Sequence, residues 1–326
     1  MDIISAIVLG AVQGLTEFLP VSSSGHLVLL QKVFGIQAPA LLFDTLLHAG
    51  TLLAVFVVLR RDILAILRRV IQPLTGFLIL ATIPAVVAAL VFEDTIEHAF
   101  ESGKFLGFSF LLTSALLVIA EQLSRRTLVK ITTEDTEGEK PRRNTEEKKE
   151  TKLKYRETRT EGSTWLKKLT TRSKTAGNMN ALDALVIGVL QAVAIIPGVS
   201  RSGATISGAL SRGLDRDFAA RFSFLLSIPA ILGALVFQLK DLLTAYAAVS
   251  ANVAADGGVV SIGFYITAAD AAAIIAGTVT AAIVGFFAMR LMLKIVREKP
   301  LYGFAIYTAV LGMLVIVDQF GTHFVF

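Results

Sequence analysis

The chain has 326 residues, 54% hydrophobic and 17% charged, with a formal charge of +5 and a mean hydropathy of +0.68. A soluble domain carries roughly 25% charged residues and cannot bury this much apolar surface in one core, which excludes an ordinary cytosolic enzyme, a disordered chain and a fibrous repeat. There is no cysteine, so disulfide frameworks, thiolate-held zinc, iron–sulfur clusters and thiol catalysis are excluded too.

The first element, 4–30, is apolar but does not read as an ordinary span, because Pro20-Val21-Ser22-Ser23-Ser24-Gly25-His26 interrupts it. It is not a signal peptide: no basic residue precedes the apolar run, and Glu17 breaks it. Three stretches of near-spanning length follow, at 41–59, 74–92 and 105–120. The composition then changes. Residues 121–180 hold 16 of the 31 Lys and Arg and 10 of the 26 Asp and Glu, in mixed runs such as Glu146-Glu147-Lys148-Lys149-Glu150. This reads as a solvated linker, and its basic excess suits an anionic lipid surface at least as well as nucleic acid. A second broken segment, 182–210, is interrupted by Pro197-Gly198-Val199-Ser200-Arg201-Ser202-Gly203, and three further spans are predicted at 218–239, 266–289 and 301–317.

A helix needs about 20 apolar residues to cross the hydrocarbon core. The reading is therefore an all-α integral membrane protein with six transmembrane helices and two re-entrant helix-loop-helix segments. It divides into a first repeat (1–120), a charged linker (121–180) and a second repeat (181–326). An offset of 178 aligns Gly10, Gln13, Val21, Ser22, Ser24 and Gly25 with Gly188, Gln191, Val199, Ser200, Ser202 and Gly203. These identities mark an internal repeat. Each repeat has an odd number of spans, so the two are expected to be inverted in the membrane, with their breaks meeting near the midplane. Arg60, Arg61, Arg68 and Arg69, the linker, Arg212, Arg216 and Arg221, and Arg290, Lys294, Arg297 and Lys299 then share one side. That side is assigned to the cytoplasm by the positive-inside rule. The other side carries Glu93, Asp94, Glu97 and Glu101 and a loop near 241–262 poor in Lys and Arg, and both termini are expected there.

The breaks hold the chemistry. Pro20 and Pro197 stop a helix, and the serines after them are N-caps for a new half-helix. Two such N-termini face to face would cradle a highly charged anion. Arg201 adds a planar cation suited to phosphate oxygens. Glu17 and Arg201 are costly at membrane depth and are candidates for function on that ground. Gln13 lies one turn before Glu17 on the same face, and Ser23 and His26 share the face of the next half-helix. Serine, histidine and glutamate together supply a nucleophile, a base and an orienting or acidic group. Asp44 and His48 form another i,i+4 pair, open to two readings: support for the site, or an intrahelical pair facing the bundle interior. His98 and His323 read as surface residues, and Trp165 lies in the linker.

The run from Gln13 to His26 resembles the signature of the undecaprenyl pyrophosphate phosphatase, or bacitracin-resistance, family, and the run from Pro197 to Thr205 resembles its second signature. The resemblance covers the chain apart from the linker. It implies a membrane phosphatase that removes the terminal phosphate of a C55-type polyprenyl diphosphate and so recycles a lipid carrier of cell-wall glycans. In its terms Glu17 is the second acid of an (E/Q)-x-x-x-E motif whose first position is Gln13. Ser23 is the nucleophile, His26 its proton-transfer partner, and Ser200, Arg201 and Thr205 contact the diphosphate. Gln13, Ser22, Ser24 and Ser202 complete the binding set. The resemblance also implies Mg2+ or Ca2+, with Glu17 the residue to hold it, and no organic cofactor. Glu17 is left with three roles: orienting His26, binding the cation, or protonating the leaving group. Inverted repeats with broken helices are also a transporter pattern, so a polyprenyl-phosphate flippase is the alternative reading. A membrane scaffold is a third, and Glu17 and Arg201 at depth argue against it.

Overall fold

In a computed structural model the chain is helical, and residues 2–35, 40–92, 95–96, 103–138, 174–255, 268–323 and 325 are described. In chain order the helices are α1 (Ile3–Phe18), α2 (Ser23–Val33), α3 (Ala40–Val58), α4 (Arg60–Arg68), α5 (Pro73–Val91) and α6 (Leu106–Gly138). The second half adds α7 (Ala181–Val193), α8 (Arg201–Ser211), α9 (Arg216–Ala255), α10 (Ala268–Glu298) and α11 (Tyr302–Val317), closed by a π-helical turn, Asp318–Thr322. Glu93, Asp94, Glu97, His98, Glu101, Trp165 and the linker from 139 to 173 lie outside the described residues.

Among the described residues five helices are long and apolar enough to cross a membrane: Pro73–Val91, Leu106–Arg125, Arg216–Phe237, Asp270–Glu298 and Tyr302–Thr322. Together they make this a multi-pass membrane protein. The remaining expected span, 41–59, falls on α3, whose stretch Phe43–Val58 is apolar but shorter. The segment expected as a loop near 241–262 is instead helical as far as Ala255, because 241–255 is rich in alanine and leucine, both strong helix formers. Helices α1 and α7 have 16 and 13 residues. At 1.5 Å per residue they reach roughly 24 and 20 Å, short of the roughly 30 Å hydrocarbon core.

Apolar side chains gain little by turning from lipid to protein, so close backbone approach decides how membrane helices pack. Helix α1 lies along α10, and α7 lies along α5, so each broken helix sits on a span from the other half of the chain. A Cβ at Gly10 would strike the carbonyl of Gly277, and one at Gly188 would come within 2.5 Å of the carbonyl of Ala81. Where α6 meets α11 the approach is reciprocal: a Cβ at Gly107 would meet the Gly312 carbonyl at 2.9 Å, and one at Gly312 the Gly107 carbonyl at 2.8 Å. Repeat-related positions thus make like contacts in both halves.

Four of the arginines that read as a topological signal, Arg212, Arg216, Arg221 and Arg297, are ion-paired. Arg216, at the start of α9, donates from Nη1 to the fully buried Glu121 of α6 at 3.0 Å and from Nε to the carbonyl of Val296 at 2.6 Å. Glu121 also accepts the Leu301 N–H at 3.2 Å, which ties α6 to the ends of α9, α10 and α11. Asp183 completes a capping box with Asn180 and pairs with Arg212 at 2.8 Å and Lys174 at 3.0 Å.

Candidate active site

Both breaks follow the local rules the sequence sets. Helix α1 ends at Phe18 and Leu19 is extended, as the residue before a proline must be. Ser22 then takes a positive φ of 72° and caps α2, its Oγ accepting the Gly25 N–H at 3.2 Å. In the second break Gly198 takes φ +86°, and Ser200 caps α8 by accepting the Gly203 N–H at 3.0 Å. The repeat-related serine pairs lie alike: Ser22 and Ser24 hydroxyls are 3.4 Å apart, Ser200 and Ser202 hydroxyls 3.3 Å.

The two breaks touch. The Gly198 N–H donates to Ser24 Oγ at 3.4 Å, and Ser202 Oγ donates to the Leu19 carbonyl at 3.0 Å. Helix α6 braces them both, with Phe110 against Gly25 and Thr113 Oγ1 accepting the Ser200 N–H at 3.0 Å. Residues 174 positions apart in sequence therefore form one floor.

A cavity of about 530 Å³ opens over that floor, a size suited to a small ligand or headgroup. Its polar lining includes Glu17, Ser23, Ser24, Ser200, Arg201, Asp44 and His48; its apolar lining includes Leu27, Val28, Ala230, Ile231, Ala234 and Leu235. Glu17 is the hub. Ser23 Oγ donates to Glu17 Oε2 at 2.6 Å, and Gln13 Nε2 donates to the same oxygen at 3.1 Å. Arg201 donates from Nη2 to Glu17 Oε1, while its Nη1 reaches the Ser227 carbonyl at 3.4 Å. His48 Nε2 stands 3.7 Å from Glu17 Oε2. The Glu17 side chain is only 3% exposed, so its charge is held by these partners rather than by water.

Not every expected residue joins this cluster. The His26 ring is turned away from Ser23. Its Nδ1–H donates to the Ser22 carbonyl at 2.6 Å, its Nε2 is 2.7 Å from Tyr307 Oη, and it stacks on the Tyr307 ring at 5.7 Å. Thr205 is buried behind Arg201, bonded to the Arg201 carbonyl at 2.9 Å and the Ser223 hydroxyl at 2.6 Å. Ser22 and Ser202 shape the turns rather than line the cavity. Tyr307 and the small residues of α9 gave no signal in the sequence: a tyrosine or alanine in an apolar span looks like any other lipid-facing or packing residue. His48 was legible only as half of an i,i+4 pair.

The donors around Glu17 do not suit a divalent cation. Among the described residues no group of three or more His, Cys, Asp or Glu could hold a metal ion. Glu17 Oε2 already accepts two hydrogen bonds, and Oε1 carries the guanidinium. Gln13 Oε1 is buried without a partner, but the amide turns its nitrogen, not this oxygen, toward the carboxylate. A cation would have to displace Ser23 or Arg201. The arrangement does not fit a protein-held metal.

Known proteins resemble this chain over nearly its whole length. The family model described as bacitracin resistance protein BacA matches residues 6–314. A protein of Carboxydothermus hydrogenoformans named undecaprenyl-diphosphatase is 39% identical, with 98% of each chain covered. One of the same name from Methanosphaera stadtmanae is 32% identical over 97% of this chain and 98% of its own. Undecaprenyl-diphosphatase 4 of Bacillus thuringiensis subsp. konkukian is 34% identical, with 98% of each covered.

Proposed function

This chain belongs to the bacitracin resistance protein BacA family, and from that premise we propose that it hydrolyses undecaprenyl diphosphate to the monophosphate and inorganic phosphate, recycling the lipid carrier of cell-wall synthesis. The observation that carries the reading is the meeting of Ser23 and Arg201, from opposite halves of the chain, on one buried carboxylate. A phosphatase working through a serine needs a nucleophile, an acceptor for its proton and a cation beside the transferring oxygens. Ser23, Glu17 and Arg201 supply these within one cavity wall.

The diphosphate sits over the floor of the two breaks, where the half-helix N-termini of α2 and α8 and the Arg201 guanidinium favour negative charge. The isoprenoid lies against the apolar lining, which includes Leu27, Val28, Ile231 and Leu235. Ser23 Oγ attacks the terminal phosphorus and its proton passes to Glu17 Oε2, along the 2.6 Å hydrogen bond already present. The anhydride P–O bond breaks and the lipid monophosphate departs. Water then attacks the phosphoserine, and Ser23 Oγ is reprotonated as phosphate leaves. His26, with both nitrogens engaged, fixes the Ser22 turn that aims Ser23 into the cavity. In the membrane, α1–α2 and α7–α8 are re-entrant, α3 is the sixth span, and the halves are inverted repeats. The linker side is cytoplasmic and the termini are external. The like packing of Gly10 and Gly188 supports that symmetry. The test is release of inorganic phosphate from a polyprenyl diphosphate by the purified chain in detergent, where transport across a bilayer cannot occur. Absence of release would refute the assignment.

A further inference from the structure

Resting on that hydrolytic reading, we propose that His48 is the relay that carries the reaction's proton from Glu17 to solvent. Hydrolysis of a fully ionised lipid diphosphate by water yields a lipid monophosphate dianion, a hydrogen phosphate dianion and one proton. Serine attack forms the Ser23 Oγ–P bond, breaks the anhydride P–O bond and puts the hydroxyl proton on Glu17 Oε2. In the second step water's oxygen bonds to phosphorus and the Ser23 Oγ–P bond breaks. One water hydrogen stays on the phosphate and the other replaces the proton that returns to Ser23. One proton per turnover is therefore left at Glu17.

Glu17 opens only onto the cavity that the substrate occupies. Its side chain is 3% exposed, against 30% for His48. The imidazole lines the cavity, and its Nε2 stands 3.7 Å from Glu17 Oε2, the same oxygen that accepts the Ser23 hydroxyl. That separation is too long for a hydrogen bond at rest and short enough to close by a small rotation. The ring is held in the right tautomer: Nδ1–H donates to the Asp44 carbonyl at 2.7 Å, so in the neutral ring Nε2 is the bare nitrogen. Asp44 is itself fixed by Gln31 Nε2 at 2.7 Å. His26 cannot serve in its place, since its Nε2 is occupied by Tyr307 and the ring does not line the cavity. Among the described residues, the other charged or titratable groups facing this cavity are Glu17, Asp44 and Arg201.

The experiment compares wild type, His48→Ala and His48→Gln, full-length in detergent, on a water-soluble short-chain prenyl diphosphate. The expected result is a loss of kcat of about 100-fold or more in both variants, with KM changed less than threefold. Added imidazole at about 100 mM restores at least tenfold of kcat to His48→Ala, in proportion to the free base, and nothing to His48→Gln, where the amide fills the space. A packing role would give the reverse pattern, with His48→Gln near wild type and no rescue. Wild-type kcat in His48→Gln would overturn the relay and show that the proton departs on the phosphate product. Failure of the underlying reading is distinguishable, because wild type itself would then release no phosphate.

Discussion

Arg201→Ala separates the structural from the chemical work of the central ion pair. The Glu17 and Arg201 side chains are 3% and 23% exposed. Losing one member of a fully buried pair costs about 3–5 kcal/mol. The partly open arginine side lets water reach the gap, so a loss of about 2–4 kcal/mol in unfolding free energy is expected here. Most of it is the stranded carboxylate, and adding Glu17→Gln should return most of that stability. Turnover should not return, since one variant lacks the cation beside the phosphoryl group and the other lacks the proton acceptor. Removing a charge stabiliser of this kind lowers kcat by about 10²–10³-fold. Thermal unfolding in detergent and phosphate release measured on the same preparations read both effects. An Arg201→Ala protein with unchanged kcat/KM would place the guanidinium outside the reaction. A double variant no more stable than the single would show that the pair is not what the arginine stabilises.

Ser23→Ala removes the nucleophile and should lower phosphate release at least about 10³-fold, with the fold intact by circular dichroism; turnover near wild type would reassign the attack to water. Gly10→Ala and Gly188→Ala each drive a methyl into a backbone carbonyl of the opposite half, and each should destabilise by about 1–3 kcal/mol in thermal unfolding. Gly76→Ala, with open space around its Cα, should be neutral or stabilising by up to about 1 kcal/mol, and a loss there as large as at Gly10 would refute the close-approach account.

The local features of the site were legible because local rules govern them. Pro20 and Pro197 stop helices whatever surrounds them, and Ser22 and Ser200 cap the next turn with their own hydroxyls. The duplicated spacing then implied two like turns. Their contact was an inference from symmetry, and the Gly198–Ser24 bond is where it is met. Orientation was the part that spacing could not give. Ser23 and His26 do share a helical face, yet the positive φ at Ser22 brings its carbonyl under the His26 ring, and Tyr307, 281 residues away, takes the other nitrogen. No periodicity encodes a partner at that distance. The same limit applies to the basic residues: Arg212, Arg216 and Arg221 mark a membrane face by composition, while their pairing with Asp183, Glu121 and Asp62 is a matter of tertiary packing.

A carboxylate at the centre of an anion site needs a reason. Two unit charges 4 Å apart repel by about 4 kcal/mol at an effective dielectric of 20, so an ionised Glu17 opposes a diphosphate brought beside Ser23. Arg201 offsets part of this in the resting site. When Ser23 gives its proton to Glu17, the carboxylate loses its charge as negative charge builds on the transferring oxygens. The repulsion therefore falls between the bound substrate and the transition state, which is the kind of interaction that raises kcat rather than affinity. Glu17→Gln puts this to the test. With the repulsion gone, a non-hydrolysable diphosphonate lipid should bind about tenfold tighter, while kcat drops at least about 100-fold for want of a proton acceptor. Weaker binding in Glu17→Gln would mean that the carboxylate serves the bound substrate by holding Arg201 in place, and that relief of repulsion plays no part in the rate.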